Sequence, residues 1–528
     1  MLISLLNSAD ICDCYGFNLI AAQLQKLKHK NVRVQQFFIF HKFNEPYPKH
    51  IIDELVQLCS GSDLIGISLL SSAFRNSIQL TSAFRDKIGC PIIWGGKHPS
   101  VDPTDSIKYP DMIGISEGED TLLEVVENML ENRSCDNIQG LWLRKPSGEI
   151  IKNPLRPLET NLDRYDFPDY SLEDKFILDR KTLHIRPVEI GDFKILFKVY
   201  PTMITRGCPY CCTFCVNSTD LRLRKMRSRS VANVIKEVKE FRAIYPKTKT
   251  IIFRDDALTA MPLGFIKDLS SVWKKEINLP FSCSGVMAAN EDFKEKIAIL
   301  ADAGLRGLKM GIQSGCERVR RKVFARVWET DEVIMKAADI LHSFRSQSKK
   351  INYYMLSDNP YESEDELAQS VRFTSRIIRP FSLSLYSLNF YPGTVLFNNA
   401  LRDGHIKNKD DALLESIMDL KNTYLNKVFM SLRYFEVPPI IVNWLTDKKN
   451  YSRKNHQIIF NKIFKFLFRF DTPTRSIAKP EARVIGKQII RGKIIDLWEI
   501  ARWIVWKPLA GIFLVWHRLA VRPKLVDV

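Results

Sequence analysis

Two successive stretches in which strand-like and helix-like segments alternate constrain this chain more than any other feature. From Leu2 to about Leu130, short apolar runs rich in Ile and Val occur at Leu2–Leu6, Val32–Phe40, Leu64–Ser68, Ile92–Trp94 and Met112–Ile115. Each is followed by a segment of helical period, which predicts helices near Asn18–Lys28, Ile51–Cys59, Ser72–Ile88 and Glu119–Leu130. Near-continuous apolar strands need both faces covered, so the pattern predicts a doubly wound, Rossmann-like parallel sheet. Such sheets bind ligands beyond the carboxyl ends of their strands. A second alternation starts near Thr202, with candidate strands at Pro201–Thr205, Thr250–Arg254, Phe281–Ser284, Gly307–Gly311, Asn352–Leu356 and Ser382–Phe390. Helices fit between them, for example Val231–Ile244 and Glu291–Ala303. Six strand–helix units predict a full or partial (β/α) barrel.

The 528 residues are too many for one core; at roughly 100–200 residues per domain, two to four domains are expected. The boundaries read as 1–135 for the first α/β unit, 136–199 for a hairpin and connector, 200–420 for the barrel and 421–528 for an α-helical C-terminal region. The hairpin and connector are marked by the turn Lys145-Pro146-Ser147-Gly148 and an acidic stretch around Asp163–Asp174. Charge is uneven: the chain is +18 overall, yet residues 421–528 hold 21 Lys and Arg against 7 Asp and Glu, which is +14. Any argument about anionic partners therefore concerns the tail. The 45% hydrophobic and 26% charged composition excludes a disordered chain or a polytopic membrane protein. The start, MLISLLNSADICD, has no basic region and only a short apolar run, so no signal peptide and a cytoplasmic location are expected. No window reaches the roughly 18 uncharged apolar residues of a spanning helix.

The chemistry concentrates in Thr205-Arg206-Gly207-Cys208-Pro209-Tyr210-Cys211-Cys212-Thr213-Phe214-Cys215, which contains Cys-x3-Cys-x2-Cys at Cys208, Cys212 and Cys215. Three thiolates on one loop can hold three irons of a 4Fe–4S cluster and leave the fourth with an open coordination position, the arrangement of a catalytic rather than a structural metal site. The alternative is zinc, through Cys208-x2-Cys211 and Cys212-x2-Cys215, but these pairs abut, whereas zinc modules separate theirs by roughly 12–20 residues. Cys211 is assigned no ligand role.

This loop resembles the signature of the radical S-adenosylmethionine enzymes, with Phe214 at the aromatic position before the last cysteine. The resemblance implies that S-adenosylmethionine chelates the open iron and is cleaved to a 5′-deoxyadenosyl radical that abstracts hydrogen from a substrate. It extends through Phe253-Arg254-Asp255-Asp256, Gly311-Ile312-Gln313-Ser314-Gly315 and Tyr391-Pro392-Gly393-Thr394. By that resemblance Phe214, Asp255, Asp256 and Gln313 contact S-adenosylmethionine, although Gln313 stands where the family has Glu. Read alone, Asp255-Asp256 also suits a helix cap and Gly393 a turn.

The first unit resembles the cobalamin-binding domain that precedes many of these barrels. The residues are Ser68 of Ser68-Leu69-Leu70, Gly95 and Gly96 of Trp94-Gly95-Gly96-Lys97-His98-Pro99, and Ser116-Glu117-Gly118-Glu119. Glycines after a buried strand let a backbone approach a ligand closely. That domain's cobalt-ligating His belongs to Asp-x-His-x-x-Gly after the first strand; Asp10-Ile11-Cys12-Asp13-Cys14-Tyr15-Gly16 stands there and has none. Cobalamin is thus expected without histidine ligation. A degenerate domain that binds nothing is the alternative, and His98 reads as a loop residue rather than a ligand.

In the tail, Lys462–Phe470 interleaves bases with aromatics, and Trp498, Trp503, Trp506 and Trp516 lie in an apolar stretch interrupted by charges. That suits interfacial helices on an anionic membrane surface or a helical subdomain packed on the barrel, with RNA binding a third option. The combined expectation is radical chemistry on an unactivated carbon, methylation or rearrangement of a lipid or secondary metabolite. An electron donor such as flavodoxin or ferredoxin is the expected partner, and nucleic acid is not. A tRNA-modifying radical enzyme and a non-enzymatic membrane sensor are the alternatives.

Overall fold

The computed structural model describes residues 1–8, 14–41, 45–193, 198–344, 350–413, 419–453, 456–458 and 460–462. The loop 9–13 and the Trp-bearing tail 463–528, for which helices were expected, lie outside the described residues.

The first alternation forms β1 (Leu2–Asn7), β2 (Arg33–Phe38), β3 (Leu64–Ser68), β4 (Ile92–Gly95) and β5 (Met112–Gly114), paired in parallel in the order β5-β4-β3-β1-β2. Helices Tyr15–Gln25, Lys49–Leu58, Phe74–Lys87 and Glu119–Leu130 connect and cover them. Both faces of β1 are closed: Ile3 and Leu5 join one core with Phe17, Ala21 and Val125, while Leu6 joins another with Ile51, Phe74 and Phe84. At about 25 cal/mol per Å² of apolar surface, burial on two sides favours strands made almost wholly of aliphatic residues.

The segment 136–199 does more than connect. Antiparallel β6 (Leu141–Arg144) and β7 (Ile150–Lys152) extend the sheet beyond β5. On the other edge β8 (Lys175–Leu178) runs parallel to β2 and carries antiparallel β9 (Ile185–Pro187), which makes nine strands among the described residues. Two hairpins thus extend both sides of the five strands of the first alternation.

The second alternation gives β10 (Val199–Thr202), the short antiparallel pair β11 (Thr205–Arg206) and β12 (Arg227–Ser228), then β13 (Thr250–Phe253), β14 (Phe281–Gly285), β15 (Leu305–Gln313), β16 (Lys350–Ser357) and β17 (Ser382–Ser387). The six long strands are parallel and follow in sequence order from β10 to β17, with no pairing between the two ends. The barrel is therefore partial. Five of its described helices begin on side-chain caps: Ser230, Asn290, Thr330 and Thr394 each accept a backbone N–H three residues on, and Ser363 with Glu366 makes a reciprocal capping box.

After β17 the chain is helical, at Tyr424–Tyr434, Pro439–Leu445 and Lys448–Tyr451. Leu425, Val428, Phe429 and Val442 belong to the same core as Tyr353 and Leu385 of the barrel. This part of the basic region is packed on the barrel. No helix among the described residues is long and apolar enough to cross a membrane.

Candidate active site

A cavity of about 500 Å³ opens at the carboxyl ends of β1, β3, β4 and β5. One wall comes from the first sheet, with Asn7, Ser68, Leu70, Gly95, Gly96 and Ile115. The opposite wall comes from the cysteine-bearing loop and its neighbours, with Arg206, Gly207, Val216, Asn217, Asp220 and Asp256. The lining is largely apolar with a few polar groups converging, the usual character of a cofactor site. Among its described lining residues there is no His.

The expected glycines differ in what they do. A Cβ at Gly95 would meet nothing within 4 Å, so that position faces open space. Gly96 has φ +97°, and a Cβ there would lie 2.8 Å from the Leu69 carbonyl oxygen. Glycine is required at 96 by the backbone turn, not by a ligand. The room for a ligand is beside Gly95 and Ser68. His98 is in the short helix Lys97–Val101, buried, with Nδ1 3.0 Å from the Ser71 hydroxyl and its ring 4.3 Å from that of Phe74. It does not line the cavity.

Burial pushes the His98 imidazole down to about 4, against the pull of Asp102 and Asp105 and helped by Lys409. An unfolded chain takes up this proton near pH 6.5, whereas the folded chain refuses it until about pH 4. Stability should therefore be complete above pH 6.5 and fall on acidification. Each unit in that window costs about 1.4 kcal/mol, so about 2 kcal/mol goes between pH 7 and 5. Urea midpoints at the two pH values should diverge in the wild type and converge in His98→Gln; an equal acid loss in both would reject this source.

The two walls are tied by charge. Arg206, just before Gly207-Cys208, donates from Nη2 to Glu119 at 2.7 Å and lies 3.2 Å from Glu117. Arg227 donates to both oxygens of Glu117, at 2.5 and 3.0 Å, and to the Glu159 carbonyl. Burial works to raise the Glu117 carboxyl, but Arg227 and Arg206 hold it below the usual range. The Ser116-Glu117-Gly118-Glu119 phrase is thus a clamp between domains. A polar chain crosses the cavity nearby: Lys97 Nζ donates to Asn217 Oδ1 at 2.9 Å, and Asn217 Nδ2 donates to Asp256 Oδ2 at 2.9 Å. The turn at Gly393, with φ +79°, presses on the Val101 carbonyl and adds a further contact.

Cys208, Cys212 and Cys215 occupy one turn of loop after β11 and influence one another electrostatically. The loop is held at both ends. Cys208 N donates to the Leu223 carbonyl at 2.9 Å; Thr213 donates from N to the Phe324 carbonyl and from Oγ1 to that of Val323. Burial raises all three thiols, Cys208 to about 11. At Cys212 this is opposed by Arg326, whose Nη1 donates to Sγ at 3.4 Å. Arg326 is itself fixed by Glu329 and by the Gly311 carbonyl at 3.0 Å. A guanidinium on sulfur favours the thiolate that a metal needs. Among the described residues no three His, Cys, Asp or Glu close around a single ion. Three thiols spread over one loop instead fit a cluster that presents a separate iron to each.

The other expected residues fall in different places. Asp256 lines the cavity, and crowding raises its carboxyl against the effect of Lys97 and Asn217. Asp255 is 2% exposed and points the other way, accepting from the Ile204 and Thr205 amides and the Thr205 hydroxyl. It anchors the start of the cysteine loop rather than facing the cavity; burial pushes it up to about 6 against those hydrogen bonds. Gln313 ends β15 with φ +71°, in the left-handed region that costs a non-glycine residue about 1–3 kcal/mol and gathers at functional sites. Phe214 packs edge-on against Phe324 with centroids 5.0 Å apart. Sequence reasoning missed Arg326, whose partner is 114 residues away, and the clamp arginines Arg206 and Arg227. Arg206 carried a signal in its place beside the cysteine loop.

Residues 202–373 match the family model of the radical SAM superfamily. The chain is 24% identical over 386 residues to an uncharacterized methyltransferase of Pyrococcus horikoshii, covering 70% of this chain and 77% of that one. It is 23% identical over 389 residues to the cytidylyl-2-hydroxyethylphosphonate methyltransferase of Streptomyces wedmorensis, covering 67% and 70%. Among solved structures, the radical S-adenosylmethionine methyltransferase TsrM of Kitasatospora setae has the same fold with a TM-score of 0.59 at 15% identity, over 76% of each chain. The cobalamin-dependent radical enzyme OxsB gives 0.62 at 14% identity, over 99% of this chain and 82% of that one.

Proposed function

We propose that this chain, whose central domain is of the radical SAM superfamily, is a methyltransferase of the cobalamin-dependent kind. The observation that carries the reading is the shared cavity: its two walls are the carboxyl ends of a doubly wound sheet and the loop after three clustered cysteines. Cys208, Cys212 and Cys215 would hold a 4Fe–4S cluster. Asp256 and Gln313 would meet S-adenosylmethionine at the strand ends, and Ser68, Gly95 and the apolar residues around them would receive cobalamin without a histidine. What these groups supply when bound is a 5′-deoxyadenosyl radical and a transferable methyl group.

The chain's own residues position and shield. Arg326 stabilises the Cys212 thiolate and, through Glu329, keeps that side of the site rigid. Asp255 holds the loop entering the triad. The Arg206–Glu119 and Arg227–Glu117 pairs fix the two cofactor walls at one separation, so that one substrate carbon could meet both the radical and the methyl group. Covering both walls excludes water from a reactive intermediate.

The relatives named as methyltransferases act on unlike acceptors, a cytidylyl-2-hydroxyethylphosphonate in Streptomyces wedmorensis and a bacteriochlorophyllide in a Chlorobaculum tepidum enzyme that is 22% identical over 360 residues, so they support methyl transfer rather than one acceptor. For the acceptor we propose a lipid or secondary metabolite, on the +14 charge of residues 421–528 and the anionic surface it would favour. A one-electron donor such as flavodoxin or ferredoxin would serve the cluster. The test is anaerobic incubation of the reconstituted full-length chain with methyl-labelled S-adenosylmethionine, reductant and a small-molecule extract. Label should enter an acceptor only when cobalamin is present. Label transfer that is equal without cobalamin would overturn the reading.

A further inference from the structure

Arg326 is 6% exposed and Glu329 is fully buried, so a buried ion pair stands beside the cysteine loop. Such a pair is a poor route to stability, because desolvation of both charges offsets most of their attraction. Its geometry points to another use. Glu329 takes one edge of the guanidinium, accepting from Nε at 2.7 Å and from Nη2, and the Gly311 carbonyl accepts from Nη2 at 3.0 Å. Nη1 is directed instead to the Cys212 sulfur, 3.4 Å away. Glu329 is held in turn: its amide donates to the Arg326 carbonyl at 3.1 Å, and its carbonyl accepts from Arg320 Nε at 3.0 Å. The guanidinium carbon lies 5.4 Å from the centre of the Trp328 ring, and Trp328 stacks on Tyr210 of the cysteine loop with centroids 4.0 Å apart. This aromatic pair lowers the polarity around the charge, which strengthens its action on the sulfur.

The three sulfurs are not treated alike. Backbone N–H groups of Tyr210 and Asn217 act on Cys208 and Cys215, and the Asp256 carboxyl works against both thiolates, relieved at Cys215 by Lys97. At Cys212 the donor is a charged side chain, opposed by Glu329. Hydrogen bonds to the sulfurs and the net charge around them set the reduction potential of an iron–sulfur cluster. Reduction adds a negative charge, so a cation fixed on a ligand sulfur favours the reduced form and an anion beside it disfavours that form.

We propose that Arg326 and Glu329 together set the potential at which the cluster assigned to Cys208, Cys212 and Cys215 accepts its electron, Arg326 raising it through Cys212 and Glu329 holding it down. Both act through the Cys212 sulfur, as positioning residues rather than catalytic ones. One electron passes from a low-potential one-electron donor to the cluster. No bond forms or breaks, and no proton moves, since arginine keeps its own. The proposal rests on the cluster reading above and adds what governs its reduction.

The test is a redox titration of the reconstituted full-length chain, without S-adenosylmethionine, followed by electron paramagnetic resonance of the reduced cluster. At the ambient potential that half-reduces the wild type, Arg326→Gln and Arg326→Met should each show a reduced-to-oxidised ratio about tenfold lower, which for one electron is a shift of about 59 mV. Arg326→Lys keeps the charge and should recover most of that shift. Glu329→Gln should move the ratio upward, and a purely structural role for the pair gives no reason for the two signs to be opposite. Should Glu329→Gln not hold iron, the three Arg326 variants decide alone. Equal potentials in the wild type, Arg326→Gln and Arg326→Met overturn the proposal, as does a lysine no better than methionine or a Glu329→Gln shift in the same direction as theirs. Loss of iron from both Arg326→Gln and Arg326→Met would make the arginine an assembly residue and overturn it too. The iron content of the wild type reports the cluster reading separately: a wild type that binds no iron overturns that reading, and the proposal with it.

Discussion

Alanine at any one of Cys208, Cys212 or Cys215 should remove the iron–sulfur cluster entirely, while Cys211→Ala should keep it. The wild-type chain, purified without oxygen, is expected to carry about four irons and a broad visible absorbance. The loop explains the asymmetry. Cys212 is 7% exposed, takes a hydrogen bond from Arg326, and shares its loop turn with Cys215, whose amide donates to its carbonyl at 3.0 Å. Cys208 and Cys215 are half-buried and within electrostatic range of Cys212. Cys211 has no part in that network. Iron analysis of the four variants decides the matter. A cluster lost in Cys211→Ala but kept in Cys212→Ala would show that the triad is misassigned.

The second large effect separates two adjacent glycines. Gly95→Leu should abolish cobalamin binding without unfolding the chain, because its side chain would extend into the cavity from a position with nothing within 4 Å of its Cβ. Gly96→Leu should instead destabilise the domain by about 1–3 kcal/mol, since φ +97° and the Leu69 carbonyl oppose any side chain. Cobalamin bound to the wild type should show no nitrogen coupling from a protein imidazole, because the described cavity lining has no His. Equilibrium dialysis with cobalamin, beside urea unfolding, separates the two substitutions. Undiminished binding by Gly95→Leu would place the ligand elsewhere.

Both α/β units were legible because strands closed on two faces leave continuous aliphatic runs. Leu64–Ser68 and Glu119–Leu130 coincide with their predicted bounds. The hairpin turning at Lys145–Gly148 was legible too, but the second one was not, because Lys175–Leu178 and Ile185–Pro187 are only four and three residues long. At the site, the cysteine loop declared itself through spacing, since three ligands to one cluster must be local. Asp255 and Asp256 were indistinguishable in sequence; just past the end of β13 they part, one to the Thr205 anchor and one to the cavity. The same limit applies to Gly95 and Gly96. Arg326 could not be read at all, because its meeting with Cys212 depends on how β15 and the loop after it return to the start of the barrel.

The central claim is that the cysteine triad and the strand ends around it form a site for reductive cleavage of S-adenosylmethionine. The most direct measurement is 5′-deoxyadenosine formed by the reconstituted full-length chain under a low-potential reductant, with Cys212→Ala beside it. The wild type should form it with time and Cys212→Ala should form none. Absence of 5′-deoxyadenosine from wild-type protein that carries a full complement of iron would contradict the account.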